Sequence, residues 1–343
     1  MKETLTYDDV LLVPQYSDIE SRSEVSLACE LDKQLHFSLP VVSSPMDTVT
    51  EVAMAIAMHE AGGLGIVHRY NTIEEQVGLV HSASMEGNGR VGAAVGVTGD
   101  FEERACAIYD AGARVLCIDV AHGHHALVRN SLETLRRMFG NKVHLMAGNV
   151  ATRDGFEALS DWGADSVRCN IGGGSICSTR IQTGHGVPGL QTILDCARSD
   201  RETKIIADGG IRSSGDVVKA IAAGADFVMV GSLLAGSNEA PGLVVTNQRS
   251  EDFKIYRGMA SFDAQKDWRG KLTSAPEGVA TPVPCKGPVE DILYDLAMGL
   301  RSGLSYSGAR NISEFQAKAK FIRQTNASQL ESDTHILKVR SDV

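Results

Sequence analysis

The sequence of 343 residues has no excess of positive charge: 33 lysines and arginines stand against 43 aspartates and glutamates, a formal net charge of −10. Nucleic acids and anionic membrane surfaces favour basic partners, so neither is expected here. No apolar run approaches the roughly 18 residues of a membrane-spanning helix, and the opening MKETLTYDDVLL has no signal-peptide pattern. These absences predict a soluble, cytoplasmic protein. The negative net charge is still compatible with small anionic ligands, because such ligands bind at local sites.

Disulfide and zinc frameworks are also missing. The seven cysteines are odd in number, scattered, and without a CxxC pair, a pattern that suits a reducing compartment. One of them, Cys177, lies in the glycine-rich stretch NIGGGSICSTRIQTGHG, residues 170–186. A single cysteine is often a small buried hydrophobe, but N–H donors and a neighbouring cation such as Arg180 favour the reactive thiolate. The placement of Cys177 therefore favours a nucleophile.

The chain alternates short apolar runs with helix-compatible stretches. Several of these stretches end in Ala-Gly or Trp-Gly, which is typical of helix C-termini. The alternation predicts one parallel (β/α)8 barrel over the whole chain, with a doubly wound open sheet as the alternative. Eight apolar runs are candidate barrel strands: 39–43, 64–67, 91–97, 115–118, 143–147, 166–169, 205–207 and 227–230.

Polar and glycine-rich residues follow the runs, at the end of a barrel where active sites are built. The segments after the seventh and eighth runs occupy the usual phosphate-binding position of such barrels, where backbone N–H groups hold the anion. Asp208 suits a ribose diol as a hydrogen-bond acceptor. The combination predicts a nucleoside monophosphate. The predicted cradle consists of Gly209, Gly210, Gly231 and Ser232.

The segment DVAHGHH follows the fourth run and contains three histidines, at 122, 124 and 125. They lack a helical i, i+4 pair and an obvious acidic ligand, so a metal site is disfavoured. Asp119, at the start of this segment, is the more informative residue. Its carboxylate could accept hydrogen bonds from a second ribose, that of a dinucleotide.

After the eighth run, residues 237–290 form a long, poorly periodic segment rich in Gly, Ser, Lys and Pro. Loops of this length in compact folds are usually functional, so we expect a flap over the site, with a surface insertion as the alternative. The tail, about 313–343, looks helical and then extended. It could reach a neighbouring subunit.

Nine motifs in collinear order cover nearly the whole chain: LTYDDVLLVP, SSPMDTVTE, VAHGHH, AGNVAT, GGGSICSTRIQTGHGVP, ADGGIRSSGD, VMVGSLLAG, YRGMAS and APEGV. With these motifs the sequence resembles the IMP dehydrogenase / GMP reductase family. The resemblance implies a barrel enzyme whose cysteine attacks the purine C2 carbon, with NADPH or NAD exchanging hydride there. It also implies a covalent intermediate and a homo-oligomer, a tetramer.

The resemblance assigns roles to individual residues. Cys177 is the implied nucleophile, and Thr179 with Glu277 handles protons. Asp119 and Asn149 lie on the nicotinamide side. A monovalent cation, K⁺, would rest on the carbonyls of Gly172, Gly174 and Cys177. The implied nucleotide-binding residues are Ser175, Asp208, Gly210, Gly231, Ser232 and Tyr256 at the ribose monophosphate, and Met259, Glu277 and Gly278 at the base.

The two family activities differ in what the flap must do. The dehydrogenase hydrolyses its covalent adduct, usually with a flap Arg-Tyr pair, and normally has inserted regulatory modules; the reductase expels ammonia and needs no such pair. Residues 68–90 are too few for the insertion, and the flap sequence SFDAQKDWRGKLTSAPEGV contains no Arg-Tyr pair. We therefore expect a GMP reductase, with IMP dehydrogenase as the close alternative. A non-catalytic nucleotide-binding barrel is disfavoured because it would need no nucleophile.

Some positions depart from the reductase pattern. YRGMAS, APEGV, MGLRSG and LESDTH look more like the dehydrogenase. Ala260 and Ser274 stand where reductases usually have serine and arginine, and Arg269 could substitute for the missing flap arginine. Cys169 and Asn170 replace the family's usual Val-Gly before the cysteine.

Overall fold

The structure is a computed structural model that describes residues 3–86, 90–270, 275–332 and 334. Its strands are β1 Val10–Leu12, β2 Cys29–Glu30, β3 His36–Phe37, β4 Val41–Ser43, β5 Leu64–Val67, β6 Val91–Val95, β7 Val115–Asp119, β8 His144–Val150, β9 Ser166–Cys169, β10 Lys204–Asp208, β11 Phe227–Val230, β12 Val245–Thr246, β13 Asp252–Arg257, β14 Ala280–Pro284 and β15 Phe321–Arg323.

Helices alternate with most of these strands. They are α1 Val52–Glu60, α2 Ile73–Glu86, α3 Phe101–Asp110, α4 Ala126–Phe139, α5 Arg153–Asp161, α6 Thr179–Thr183, α7 Gly189–Cys196, α8 Ser214–Ala222, α9 Phe262–Arg269, α10 Val289–Tyr306, α11 Ile312–Lys318 and α12 Asn326–Glu331. Among the residues described, no helix is both long and apolar enough to cross a membrane.

Strands β4 to β11 form a closed parallel barrel, in which β11 pairs with β4. This confirms the predicted (β/α)8 barrel and excludes the open sheet. The boundaries differ slightly from the apolar runs. The run 143–147, for example, becomes the strand His144–Val150, because Gly148 and Val150 continue the ladder beside β9, with an irregularity at Asn149 between them.

Local sequence signals set the helix ends. Thr152 and Ser213 accept hydrogen bonds from backbone N–H groups in the first turns of α5 and α8, which satisfies donors that have no partner inside the helix. Gly112 and Gly163 follow α3 and α5 with φ of 117° and 103°, angles that glycine adopts without steric cost. The predicted glycine stop signals therefore lie where the chain turns into the next strand.

The hairpin of β2 and β3 covers the amino end of the barrel. Phe37 meets Phe227 edge to face, with ring centroids 5.6 Å apart, and Leu31 and Leu35 belong to the apolar cluster inside the barrel. A second, larger apolar cluster fills the space between the strands and the surrounding helices. The barrel is therefore a filled core with one closed end.

A polar contact ties the hairpin to the barrel. Asp32 Oδ2 lies 2.8 Å from Nδ1 of His144, and Nε2 of that histidine lies 2.8 Å from Oγ of Ser166. The trio has the residue types of a hydrolase triad, but Ser166 is fully buried at the closed end of the barrel. Its contacts therefore hold the floor in place.

The flap contains more regular structure than its irregular sequence predicts. Within residues 237–288, called the flap below, β12, β13 and β14 form an antiparallel sheet, and α9 lies between β13 and β14. Short strands with proline at β14 gave no clear alternation in the sequence, which is why only a loop was expected. The predicted flap end at 290 also shifts, because α10 begins at Val289.

The tail folds back on its own chain as far as it is described. Its extended part, β15, pairs antiparallel with β1, and Gln324 donates to the backbone carbonyl of Asp8 at 2.6 Å. These contacts hold residues 321–324 against the start of the same chain, and contact of the tail with a neighbouring subunit stays a prediction. Residues 335–343 lie outside the described part of the chain.

Replacement of Asp32 by alanine tests the floor contact. Burial acts to raise the pKa of Asp32, but the hydrogen bond and charge of His144 together with the backbone N–H groups of Gln34 and Leu35 outweigh it, and the pKa is lowered. The ionised carboxylate thus stabilises the fold above its unfolded-state pKa of about 4, and this contribution disappears as pH falls through the lower folded-state value. We expect D32A to lower the free energy of unfolding by about 1–2 kcal/mol at pH 7, with a shrinking difference at acidic pH.

Urea unfolding followed by circular dichroism across this pH range measures the effect. Asp110→Ala, at an exposed position, is the control and should leave stability nearly unchanged. A pH-independent loss in D32A would contradict the ionic contribution.

Candidate active site

The carboxyl ends of the barrel strands surround a cavity of about 450 Å³. Loops from several strands and the flap contribute to its wall, as is usual at this end of a barrel. The structure brings every sequence-selected site residue to this cavity. They are Asp119, Asn149, Gly172, Gly174, Ser175, Cys177, Thr179, Asp208, Gly210, Gly231, Ser232, Tyr256, Met259, Glu277 and Gly278.

The cysteine loop, residues 170–178, connects β9 to α6. Within it the Cys177 N–H donates to the carbonyl of Gly174 at 3.1 Å. The flap lies directly across the loop: Gly278 forms an antiparallel bridge with Cys177, and Val279 donates its N–H to the carbonyl of Ile176 at 3.0 Å. Cys177 is therefore held between its own loop and the returning flap.

A short relay leads from the thiol to a carboxylate. Cys177 Sγ lies 3.2 Å from Oγ1 of Thr179, and that hydroxyl donates to Oε2 of Glu277 at 2.7 Å. The backbone of Glu277 is fixed on both sides, since its N–H donates to Ala260 and its carbonyl accepts from Ser178, each at 3.0 Å. A proton can move between sulfur and carboxylate through one hydroxyl, an arrangement suited to general acid–base chemistry.

The predicted phosphate cradle is built by close approach of backbone. Gly210 has a φ of 74°, and a Cβ at this position would lie 3.1 Å from the carbonyl oxygen of Gly173. At Gly231, a Cβ would lie 2.9 Å from the hydroxyl of Tyr256. Burial raises the pKa of Tyr256 to about 12 despite a hydrogen bond with Ser175. The phenol therefore stays neutral and presents a hydroxyl to the cradle.

Arg168, near the end of β9, links the two predicted ribose carboxylates. Its Nη1 lies 2.6 Å from Oδ1 of Asp119, and its Nη2 lies 2.8 Å from Oδ2 of Asp208. Asn149 Nδ2 donates to the same oxygen of Asp208 at 2.7 Å. The four side chains form one network across the carboxyl ends of β7 to β10.

The charges in this network are fixed. Burial disfavours the charged guanidinium, but Asp208 and Asp119 outweigh it and hold the pKa of Arg168 well above its ordinary value. Cys117 Sγ is 3.5 Å from Nη1 of Arg168, and burial raises the pKa of this thiol to about 12. Cys117 is thus neutral, and one cation faces two carboxylates.

Arg168 lies inside the apolar run 166–169 and was not among the residues selected from the sequence. An arginine in a buried strand is itself a signal, because such a charge needs a buried partner. Trp268 was not selected either. Its indole is carried by α9 and lies edge-on to Tyr70, with ring centroids 6.2 Å apart.

A second cavity of about 170 Å³ adjoins the first. Arg69, Val120 and Trp268 line both cavities, and Asp100 and Arg104 line the smaller one. The guanidinium of Arg69 donates to the backbone carbonyl of Asp119 at 3.1 Å. The two cavities therefore meet at a neck between the barrel and α9.

An ion-pair bridge holds α9 against the barrel. Arg257 of β13 places Nη2 2.6 Å from Oδ2 of Asp47 and Nη1 2.5 Å from Oδ2 of Asp267. Met259 adds a contact, since the Asp47 N–H points at its sulfur at 3.4 Å. The side chain of Arg269 and all of Ser274 lie outside the described residues, so their predicted roles stay predictions.

Two of the three histidines of DVAHGHH have structural contacts of their own. His124 packs on Trp162, with ring centroids 5.8 Å apart, and His125 Nδ1 accepts from the N–H of Leu127 at 3.1 Å, capping α4. In the described part of the chain, no group of three His, Cys, Asp or Glu side chains is arranged to hold a metal ion.

Fold and site define a (β/α)8-barrel protein with a cysteine-centred cavity at the strand carboxyl ends. The sequence profile described as "IMP dehydrogenase / GMP reductase domain" matches residues 4–335. The chain belongs to the IMP dehydrogenase / GMP reductase family, a family of NAD(P)-dependent oxidoreductases.

Relatives named IMP dehydrogenase and relatives named GMP reductase are similar to this chain over nearly its full length. Inosine-5'-monophosphate dehydrogenase of Nitrosopumilus maritimus is 37% identical, covering 97% of this chain and 98% of the relative. GMP reductase of Leishmania major is 33% identical, covering 98% and 97%. The solved structure of a GMP reductase variant from Trypanosoma brucei in complex with guanosine 5'-monophosphate matches with a TM-score of 0.91 and 33% identity, covering 98% of each chain.

The lengths of these alignments exceed the length of this chain. They extend over 470 positions for the N. maritimus dehydrogenase and 479 for the L. major reductase, more than the 343 residues here. Both relatives therefore contain residues that this chain lacks. Because one of them is named a reductase, the shortness of this chain does not by itself favour the reductase over the dehydrogenase.

Replacement of Arg168 tests the charge network. In R168M two buried carboxylates lose their shared cation, so we expect the free energy of unfolding to fall by about 3–5 kcal/mol. Urea unfolding measures the loss. A triple variant that adds Asp119→Asn and Asp208→Asn to R168M removes the uncompensated charges. This variant should recover much of the lost stability.

Arg129→Met is the matched control, since Arg129 pairs with Glu133 on an exposed helix face. An equal, small effect of both arginine replacements would contradict the network.

Proposed function

We propose that the protein is a GMP reductase that converts GMP and NADPH into IMP, ammonia and NADP. The flap carries this proposal. Its helix α9 brings Gln265 and Trp268 to the cavity wall, and the segment 261–279 contains no Arg-Tyr pair for activating water. The GMP complex of the T. brucei relative supports a purine nucleoside monophosphate as the ligand of this cavity.

The relay accounts for the proton balance of the first half-reaction. The sulfur of Cys177 bonds to purine C2, and its proton passes through Thr179 to the carboxylate of Glu277. The protonated Glu277 returns that proton to the departing amino group, which leaves as ammonia when its bond to C2 breaks. The cysteine adduct of the purine then remains, and water is kept away by the flap strand over Cys177.

The reduced nicotinamide supplies hydride to C2 when bound. This chain's residues must present C2 on the open side of the cavity and take back the thiolate as the carbon–sulfur bond breaks. Asp208 would hold the ribose through Oδ1, because Arg168 and Asn149 engage Oδ2. Tyr256, Ser175, Ser232 and Gly231 would surround the phosphate, with Gly210 facing it across the cavity mouth. Met259 and Gly278 would border the base.

The neck and second cavity fit an elongated dinucleotide. Asp119 and Asn149 lie beside the neck side of the main cavity, so the nicotinamide end would rest there. The remainder would pass Arg69 and Trp268 toward the smaller cavity. The cationic Arg69 at the neck suits a diphosphate, and we propose NADPH as the cofactor, with NAD as the alternative.

IMP dehydrogenase activity is the second candidate. Ala260, which lines the cavity, stands where reductases usually have serine, and the same relay could serve a hydrolytic step. In that reaction IMP, NAD and water give XMP and NADH.

Further features of the proposal follow the family resemblance. A K⁺ ion would rest on the carbonyls of Gly172, Gly174 and Cys177, one of which, Gly174, also accepts from the Cys177 amide. We propose a homotetramer in the cytoplasm, with no nucleic acid or membrane partner. The seven free cysteines support the reducing compartment.

Two parallel assays test the activity. With GMP and NADPH we expect the absorbance of the reduced nicotinamide to fall while ammonia appears in equal amount. With IMP, NAD and potassium we expect no rise in that absorbance. Formation of XMP in the second assay alone would overturn the reductase proposal in favour of the dehydrogenase.

Cys177→Ala is the control for the covalent step. It should abolish turnover while calorimetry still detects GMP binding, because the cradle residues remain. Cys106→Ala, at an exposed position on α3, should keep full activity. Turnover in C177A would contradict the covalent mechanism.

Trp268→Ala tests the dinucleotide path. Loss of the indole opens the neck, so we expect the KM for NADPH to rise by roughly tenfold, equivalent to about 1.4 kcal/mol of binding, while the KM for GMP changes little. Steady-state kinetics with each substrate varied in turn measures the split. Trp162→Phe, at the C-terminal cap of α5 and absent from the lining of both cavities, is the aromatic control. An equal rise in both constants would argue against a path through the neck.

A further inference from the structure

Asn170 opens the cysteine loop in a conformation that suits glycine. Its φ is 149°, in the range where a side chain strains the backbone. The residue is also 3% exposed. The family resemblance places glycine at this position, so this chain retains a strained, buried amide where a relaxed residue would serve. The contacts of that amide are therefore informative.

The side chain bridges the cysteine loop to the loop that follows β10. Asn170 Nδ2 donates to the backbone carbonyls of Asp208 at 2.9 Å and Gly209 at 3.3 Å. The backbone carbonyl of Asn170 accepts a hydrogen bond from Nδ2 of Asn149 at 3.1 Å. Asn170 thus joins the ends of β8, β9 and β10 at the base of the cavity. In the described chain Oδ1 has no hydrogen-bond partner, so the donor side of the amide makes the connection.

Gly173 leaves the space that this side chain fills. A Cβ at position 173 would lie 2.2 Å from Nδ2, 2.7 Å from Oδ1 and 2.8 Å from Cγ of Asn170. The φ of Gly173 is not in the left-handed range, so its backbone does not require glycine. The close approach to Asn170 is sufficient to explain why this residue has no side chain.

The bridge lies between the nucleophile and the nucleotide cradle. Gly173 is four residues before Cys177, and its carbonyl oxygen faces Gly210, where a Cβ would be 3.1 Å away. A Cβ at Gly209 would likewise lie 3.4 Å from the backbone of Gly174. Any change in the spacing of these loops moves the sulfur relative to the bound ribose and phosphate.

We propose that Asn170 is a positioning residue that sets the distance between the cysteine loop and the Asp208–Gly210 loop, with Gly173 as its steric partner. Asn170 acts through Cys177 and the cradle, without touching the reacting atoms. The inference rests on Cys177 being the nucleophile of the proposed function. It does not depend on the direction of the reaction.

Three variants and one double variant test the proposal. Asn170→Asp keeps the shape of the side chain and removes the donor. Asn170→Gly removes the side chain and its strain, and Gly173→Ala introduces the clash. Asn170→Gly with Gly173→Ala relieves that clash. Gly78→Ala, on α2 with no atom within 4 Å of the new Cβ, is the control for adding a methyl group.

The first readout is independent of turnover. Peptide mass spectrometry measures the rate at which iodoacetamide alkylates Cys177, with the exposed Cys106 as the internal reference. We expect the rate at Cys177 to change several-fold in N170D and N170G while the rate at Cys106 is unchanged. Unchanged alkylation of Cys177 in folded N170D would overturn the proposal, because a residue with only a steric role tolerates this replacement.

The second readout separates positioning from stability. We expect kcat to fall by about a hundredfold in N170D, the loss typical of a roughly 1 Å misplacement of a reacting group, with a smaller change in the KM for the nucleotide. G173A should lose folding or activity, and N170G/G173A should be better folded and more active than G173A. A double variant as damaged as G173A would overturn the steric pairing.

These outcomes are distinct from failure of the proposed function. If the protein proves to be a dehydrogenase, alkylation rates and the rescue of G173A are read in the same way, with IMP as the substrate. If C177A retains turnover, the proposed covalent function fails, whereas the rescue by N170G still reports the contact between positions 170 and 173.

Discussion

Arg168 holds the cavity together by facing the carboxylates of Asp119 and Asp208 from a buried position. Replacing a buried ion pair with apolar groups is often neutral or stabilising, because desolvation offsets the attraction. The network is therefore better understood as a constraint on geometry than as a source of stability. It fixes the orientation of Asp208 on the side of the predicted cradle and of Asp119 on the side of the neck. The two halves of the cavity thus share one cation and keep a constant relation to each other.

Glycine has an equally restrictive function on the other side of the cavity. The cysteine loop and the loop after β10 approach backbone to backbone, and Gly210 and Gly173 leave no room for side chains there. Close packing of main chain leaves N–H groups available to an anion and keeps Cys177 near them. The flap completes the arrangement from above, since Gly278 bridges to Cys177 and brings Glu277 to Thr179. The contact between Thr179 and Glu277 therefore depends on the position of the flap.

The barrel could be predicted from the sequence, because strand periodicity and strand-end glycines are local signals. These signals gave the eight strands, the Cys177 loop, Asp119 and the cradle after β10 and β11. The flap residues Tyr256, Met259 and Glu277 were selected through the family resemblance, and the functions assigned to all of these residues stay predictions. The ion pairs of Arg168 with Asp119 and Asp208 could not be predicted. Arg168 lay within an apolar run, and only the closure of the barrel shows that it faces carboxylates from strands on either side. The flap sheet was missed because β14 alternates with prolines, which weakens the strand pattern.

The closed floor of the barrel has a consequence for ligand exchange. The hairpin of β2 and β3, held by Phe37 and Asp32, closes the amino end of the barrel. The predicted cradle lines the main cavity at the other end, and the neck joins that cavity to the second one. A nucleotide and a dinucleotide bound as proposed would therefore both reach solvent at that end, and the exchange of each would be coupled to the other.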